Sequence, residues 1–263
     1  MKTGGTGHGR MTAPGRARRR SVLGTTLDAM TMREVVAACV DAVDGGGRLT
    51  IGVVNAAKIV NMRTDGTLRR SVLDCDLILA DGQAVVWAAR VLGHPLPERV
   101  AGIDLFVELL AEGERRGYRP YFLGATPEVL ALLVEEVRRG HPALRVAGAR
   151  DGYFAAEDSE AVAAEIADSG ADMLFLGITS PKKEIFVRDW GEATGAKVIH
   201  GVGGSFDVLS GRTRRAPRTW QRLGLEWLYR LLQEPVRLGP RYLKTNGRFL
   251  LLVAVGLMRR GRD

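Results

Sequence analysis

A chain of 263 residues that is 46% apolar can bury a substantial core, so one domain with appendages is expected rather than two equal domains. The net charge of +8 divides into +6 over residues 1–20, +10 over residues 211–263 and −8 over the residues between, which disfavours a body coated for nucleic acid and directs the two ends toward an anionic partner. No apolar run reaches eighteen residues, and Cys39 and Cys75 are too few and too far apart for a zinc site or a disulfide framework, a usage that fits a reducing cytoplasm.

Residues 1–20, rich in Gly, Thr and Arg and lacking an apolar h-region, read as a disordered basic arm and not as a secretory signal. From Thr31 the pattern TMREVVAACVDAV carries a capping box, Thr31 with Glu34, ahead of a helical period that ends at the glycines of 45–47. Short apolar runs then read as buried strands at 49–54, 77–80, 121–125, 144–149, 173–178 and 197–203. Helical patterns separate them at 83–92, 103–116, 127–139, 157–168 and 181–193. This rhythm predicts an α/β fold over residues 21–210, a doubly wound Rossmann-like parallel sheet, with ligands outside the carboxyl ends of its strands.

Residues 211–263 read as an Arg-rich, basic helical appendage that associates with a membrane. Eight arginines lie within 211–242, interleaved with Trp220, Trp227, Tyr229 and Tyr242. Around LEWLYRLLQEP the spacing is helical, with Leu225, Leu228, Leu231 and Leu232 on an apolar face, while Arg230, Arg237 and Arg241 recur around the Pro235 break, where they would clamp phosphates. The ten-residue run FLLLVAVGLM at 249–258, flanked by Arg248, Arg259 and Arg260, is too short to cross a bilayer but long enough to lie in its surface.

Four strand ends carry polar residues just ahead of helix starts: Asn55, Asp81 with Gly82, the loop TSPKKE (179–184) and GGSFD (203–207). Free N–H groups of those helices converge on one edge and favour an anionic ligand. Asp81 is the candidate general base, a carboxylate placed to face a reacting hydroxyl, with the plainer role of N-cap for the helix near Gln83 as its alternative. Glycines 201, 203 and 204 resemble part of a dinucleotide fingerprint, but Phe206 takes the last glycine's place, which disfavours a nicotinamide or flavin oxidoreductase. Gly203 and Gly204 still mark a tight turn where backbone approaches a ligand, and Asp207 can accept hydrogen bonds from a sugar or base, unless it only starts a helix. Lys182 and Lys183 are either ligand contacts or a solvated pair. Asp74 and Asp76 form a D-x-D of the kind that holds a divalent metal in some sugar-nucleotide enzymes, but no metal is expected; His8, His94, His141 and His200 lack metal-ligand spacing, and His200, inside an apolar strand, reads as a core histidine.

Taken together, VVNAAKIV (53–60), CDLILADGQAVVWAARVLG (75–93), ERVAGIDL (98–105), DGYF (151–154), SPKKE (180–184), GVGGSFDVLSGRTRRAP (201–217) and GLEWLYRLLQEPVRLGPRY (224–242) resemble the WecG/TagA/CpsF family of bacterial glycosyltransferases, glycosyltransferase family 26, over roughly residues 21–245. The resemblance implies a metal-independent, inverting enzyme without cofactor. Such an enzyme transfers a sugar, N-acetylmannosamine-type or another hexose, from a UDP-sugar to a polyprenyl-diphosphate-linked acceptor. It works in cell-surface polysaccharide or teichoic-acid-type glycan synthesis, peripherally on the cytoplasmic face of the membrane. By the same resemblance Asp81 matches the base, Asn55 and Arg99 the active-site pocket, Tyr153, Lys183 and Asp207 the nucleotide contacts, and Arg230, Arg237 and Arg241 the diphosphate-binding arginines. Val53 and Lys183 depart from the family pattern of Thr and Gln. A nucleic-acid-binding module built on the Arg and aromatic residues of the C-terminal segment is the alternative, and the acidic body disfavours it.

Overall fold

The computed structural model describes residues 18–260. An antiparallel hairpin comes first, β1 (Arg19–Val22) against β2 (Thr25–Asp28). The sequence reading has no such element, and the boundary expected after residue 20 falls inside it. Arg19 Nε donates to Asp28 Oδ1 at 2.9 Å and its Nη2 to the Asp76 carbonyl at 2.9 Å, while Asp28 Oδ2 accepts from the Ile78 N–H at 2.8 Å. That arginine therefore ties the hairpin to the sheet instead of belonging to a free arm. Residues 1–17 of the expected arm lie outside the described residues.

Thr31 and Glu34 form the capping box that opens α1 (Met32–Asp44), which stops at Gly45. The main sheet follows through β3 (Leu49–Val54), α2 (Ala56–Asn61), α3 (Gly66–Leu73), β4 (Leu77–Ala80), α4 (Gln83–Val91), α5 (Gly102–Arg116), β5 (Pro120–Gly124), α6 (Pro127–Gly140), β6 (Gly148–Arg150), α7 (Ser159–Asp168), β7 (Met173–Gly177), α8 (Lys182–Trp190), β8 (Val198–Gly201) and α9 (Ser205–Leu209). Six parallel strands run in the order β4-β3-β8-β7-β5-β6. Helices cover both faces, which is why LILA and most of MLFLG are buried at successive positions and do not alternate. The expected strand at 144–149 contracts to three residues at 148–150, partly exposed at the sheet edge. The short helices α2 and α3 escaped the sequence reading because six and eight residues hold too few turns to display a period.

Connections leave β7 toward β8 and β5 toward β6, in opposite directions along the sheet, so the crevice between the carboxyl ends of β7 and β5 is a topological switch point. Beneath it Phe106, Phe122, Phe175 and Phe206 pack ring against ring at centroid distances of 4.5 to 6.0 Å. Phe206 is fully buried, and a Cβ on Gly177 would fall 2.4 Å from its ring. The residue that spoils the dinucleotide fingerprint is thus a core plug seated on a bare strand end.

Three helices complete the described chain: α10 (Arg218–Arg222), α11 (Glu226–Gln233) and α12 (Pro235–Arg260). The apolar run at 249–258 divides by helical period. Phe249, Leu252 and Val253 pack into a cluster with Ile59 and Val60 of α2 and Leu92 beyond α4, whereas Leu250, Leu251 and Met258 point outward, each more than 60% exposed. One face of this run is therefore docked on protein, and only the other is open to a surface. No described helix is long and apolar enough to cross a membrane.

Candidate active site

The candidate base sits directly past β4. Its backbone N–H donates to the Val54 carbonyl at 2.9 Å, which sets Asp81 beside the end of β3, and its Oδ1 accepts from the Gly102 N–H at 2.9 Å. Asp81 therefore caps α5 and not α4, whose N-cap is Gly82 and has no side-chain cap. The alternative role as cap of the helix at Gln83 is corrected: α5 begins twenty-one residues later but returns to the same strand end, anchored by the Val100 N–H on the Ala80 carbonyl at 3.0 Å. Oδ2 of Asp81 makes no hydrogen bond among the described residues and remains available to a ligand.

Gly102 also accepts, through its carbonyl, from His200 Nε2 at 3.0 Å. His200 is fully buried, and burial drives its pKa down to about 4, so the ring is neutral with the proton on Nε2. Its Nδ1 finds no partner within hydrogen-bond geometry. The reading of a core histidine holds, with an added consequence that sequence spacing hides: His200 and Asp81 grip opposite sides of Gly102 and so fix the head of α5 against the site.

Asn55 caps α2, its Oδ1 accepting from the Lys58 N–H at 3.0 Å, and its Cβ stands 3.1 Å from where a side chain on Gly82 would begin. Asn55 and Asp81 are thus neighbours across adjacent strands. Lys58 reaches back from α2 toward Lys183 and Glu184 at the start of α8. Burial, then repulsion from Lys183, lowers the Lys58 ammonium to about 8. Lys183 Nζ stands 3.1 Å from Glu184 Oε1, which also accepts from Ser180 Oγ at 2.8 Å. Burial works to raise the Glu184 carboxyl, but Lys183, Ser180 and Lys58 outweigh it and hold it below the usual range. The lysine pair splits in role: Lys182 donates to the carbonyls of Gly152, at 2.8 Å, and Phe154, and sits 3.5 Å from the Phe154 ring centre, so it secures the loop that carries Tyr153.

Tyr153, 76% exposed, follows the far edge strand β6. The loop that carries it folds back over the end of β5, the Gly152 N–H donating to the Ala125 carbonyl at 3.0 Å, whereas Asp81 stands past β4. Between them, Gly203 takes a left-handed φ of +54°, a conformation that favours glycine, and Asp207 lies in the first turn of α9, its carbonyl accepting from the Thr213 N–H at 2.9 Å.

Arg99 is committed to an ionic knot. It contacts Glu226 on α11 and stands 3.6 Å from Asp104 on α5, while Arg215 Nη2 lies 2.6 Å from Asp104 and its Nε 3.5 Å from Glu226. The knot joins the C-terminal segment to the sheet edge. Next to it an open pocket of about 370 Å³ is lined by Gln83, Arg99, Arg218 and Gln221, at the head of α4 and two residues from Asp81. Arg230 falls on α11, and Arg237 and Arg241 on α12, but their side chains lie outside the described residues. The D-x-D pair serves the fold: Asp76 Oδ2 accepts from the Thr50 N–H at 2.9 Å, and Asp74 ends α3. Among the described residues no three His, Cys, Asp or Glu side chains gather where they could hold a metal ion.

Sequence reasoning missed Lys58, Glu184 and the Asp104, Arg215 and Glu226 knot. Lys58 carried one signal, a position three residues beyond a strand end, whereas the knot joins residues more than a hundred positions apart.

The model of the glycosyl transferase WecG/TagA/CpsF family matches residues 20–263. A relative from Bacillus spizizenii, named N-acetylglucosaminyldiphosphoundecaprenol N-acetyl-beta-D-mannosaminyltransferase, is 42% identical over 162 residues, 62% of this chain and 62% of that protein. The matched stretch covers less than two thirds of the relative's length.

Proposed function

The chain belongs to the glycosyl transferase WecG/TagA/CpsF family, and we propose that it moves a sugar, with inversion and without a metal, from a UDP-sugar to a polyprenyl-diphosphate-linked sugar at the inner face of the cell membrane. The observation that carries this reading is the setting of Asp81: a carboxylate with one oxygen held by Gly102 and the other open, at the carboxyl edge of the sheet, beside a pocket walled by Arg99 and Arg218. In the transfer the acceptor hydroxyl oxygen bonds to the anomeric carbon from the face opposite UDP. The bond from that carbon to the UDP phosphate oxygen breaks with its electron pair going to UDP, and the hydroxyl proton passes to Asp81 Oδ2. Asn55 lines the same crevice. Gly203, Gly204, Lys183 and Asp207 border the path along which the nucleotide extends toward Tyr153. Departing charge on UDP is met by arginines, with Arg230, Arg237 and Arg241 as the candidates from the appendage.

The acceptor reading draws on a second feature. Gln83, Trp87 and Val91 stand at i, i+4 and i+8 of α4, so one face leads from the Arg99 and Arg218 pocket to Arg260 at the end of α12, whose guanidinium donates to the Val91 carbonyl at 3.3 Å. Trp87 and Val91 are about half exposed along it, an apolar track suited to a lipid chain. The outward Leu250, Leu251 and Met258, with Arg248 and Arg259 beside them, suit an anionic bilayer surface. The relative's name supports an N-acetylmannosamine-type donor and an N-acetylglucosamine-diphospholipid acceptor.

The test is turnover of a UDP-sugar panel against a short-chain polyprenyl-diphosphate N-acetylglucosamine, with and without chelator. Release of UDP and formation of a disaccharide lipid in chelator support the reading. Activity only with added Mn²⁺ or Mg²⁺ removes metal independence, and salt-reversible DNA binding without any affinity for UDP favours the nucleic-acid alternative.

A further inference from the structure

The pocket of about 370 Å³ beside Asp81 is lined by two guanidinium and two carboxamide side chains, those of Arg99, Arg218, Gln83 and Gln221. The knot matches Arg99 and Arg215 against Asp104 and Glu226, so both of those cations already face carboxylates. Arg218 is exposed and pairs with no carboxylate among the described residues, which leaves its charge open to a phosphate in the pocket. Neither proton transfer to Asp81 nor phosphate binding accounts for the two amides.

The fold fixes where both amides stand. Gln221 donates through Nε2 to the Ala216 carbonyl at 2.7 Å; because a carbonyl only accepts, the amide nitrogen must face it, and Oε1 is left as an acceptor. Gln83 is gripped by its stem. Gly224, at a left-handed φ of +67°, lets the turn between α10 and α11 press so closely onto α4 that a Cβ there would stand 2.7 Å from Gln83 Cβ and Cγ and 3.1 Å from the Trp87 ring. Beyond that stem the Gln83 carboxamide lines the pocket and makes no hydrogen bond among the described residues. A side chain clamped at its stem and unused at its head gives up little rotamer freedom when a ligand takes the head.

Position indicates which part of a substrate meets it. Gln83 is two residues past Asp81, on the α4 face that continues through Trp87 and Val91. An acceptor with its phosphate at Arg218 and its attacking hydroxyl at Asp81 therefore lays its sugar ring against Gln83. A carboxamide offers a donor and an acceptor side by side; a ring hydroxyl engages one of them at a time, whereas an acetamido group, with its own N–H and C=O, engages both. We infer, on the premise that the transfer reading above is right, that Gln83 is a specificity-determining residue of the acceptor site and pairs with the acetamido group of the acceptor sugar, with Gln221 Oε1 accepting from a neighbouring hydroxyl. The preference for a 2-acetamido acceptor over its 2-hydroxyl counterpart is then set by the head of α4 and not by the arginines.

Transfer kinetics of the full chain on two short-chain polyprenyl-diphosphate acceptors, one bearing N-acetylglucosamine and one bearing glucose, test this, because the two sugars differ only in the acetamido group. The wild type should favour the first in kcat/KM by about tenfold or more, the weight of one or two hydrogen bonds. Gln83→Met, which fills the same space under Gly224, should remove most of that preference while UDP affinity and melting temperature stay unchanged. Gln83→Glu keeps an acceptor oxygen but no donor and should retain part of the preference. Equal kcat/KM of the wild type on the two acceptors overturns the inference and leaves the transfer reading standing. A Gln83→Met protein that keeps the full preference, or that loses the same factor on both acceptors, overturns it as well, since the residue would then only support the pocket. Loss of UDP affinity in that variant overturns it too, because Gln83 would belong to the donor. No transfer to either acceptor by the wild type removes the transfer reading, and this inference with it.

Discussion

The two regions that meet at the Arg99 pocket are held in place by different physics. The carboxyl edge of the sheet is positioned by backbone hydrogen bonds in a parallel ladder, closed underneath by four phenylalanines and above by Asp81 and His200 gripping Gly102. The C-terminal segment reaches that edge only after β8 is complete, and it is fastened at two points: the ionic knot of Arg99, Asp104, Arg215 and Glu226, and the apolar contact of Phe249, Leu252 and Val253 with α2. The lesson is a division of labour. On the proposed reading the base, which must be fixed to a fraction of an ångström, sits on the ladder, and the segment proposed to meet a lipid and its diphosphate is docked through side chains.

The sharpest way to break the comparison is Asp81→Asn. Asparagine still accepts from the Gly102 N–H, so fold and UDP affinity should persist while turnover falls by about 10²-fold or more. Turnover within a few-fold of wild type would take the base off the ladder. Phe249→Ala comes next: loss of a nearly fully buried ring should cost about 3 to 5 kcal/mol in denaturant unfolding. For the same reason, ending the chain at residue 210 should lower its melting temperature as well as abolish transfer; an unchanged melting temperature would show that the segment is not part of the core.

Acid tests the ladder alone. The pKa of His200 is lowered in the folded state, to about 4 against 6.5 unfolded, so the unfolded chain binds the extra proton between those values. Stability should therefore be full above pH 6.5 and decline as pH falls toward 4, by at most about 3 kcal/mol from this residue. His200→Gln should flatten that segment of the stability profile measured by chemical denaturation. Smaller still, Glu226→Gln loosens the knot; because the C-terminal segment keeps its apolar contact, we expect a loss of about tenfold or less in kcat/KM with an unchanged melting temperature. A loss as large as that of Asp81→Asn would mean the knot belongs to the reacting centre. Finally, replacing the outward Leu250, Leu251 and Met258 with Ser should release the protein from anionic vesicles in flotation and leave stability and turnover on a soluble acceptor analogue within about twofold.

Most strand positions, the Thr31 capping box, the glycine stop after α1 and the strand ends at Asn55 and Asp81 are all legible along the chain. Each rests on residues within one turn or one strand of each other, and local patterns of that kind are set by backbone chemistry before any packing occurs. The membership that joins the scattered motifs was legible too, because the motifs keep their order. What Asp81 caps, what silences His200, and which half of FLLLVAVGLM meets protein were decided only by tertiary structure. Gly102 lies twenty-one residues from Asp81 and ninety-eight from His200, and Phe249 finds α2 nearly two hundred residues upstream. Lys58 on α2, which follows β3, and Lys183 and Glu184 on α8, which follows β7, share no sequence pattern, and they meet only because the sheet sets β8 between those two strands.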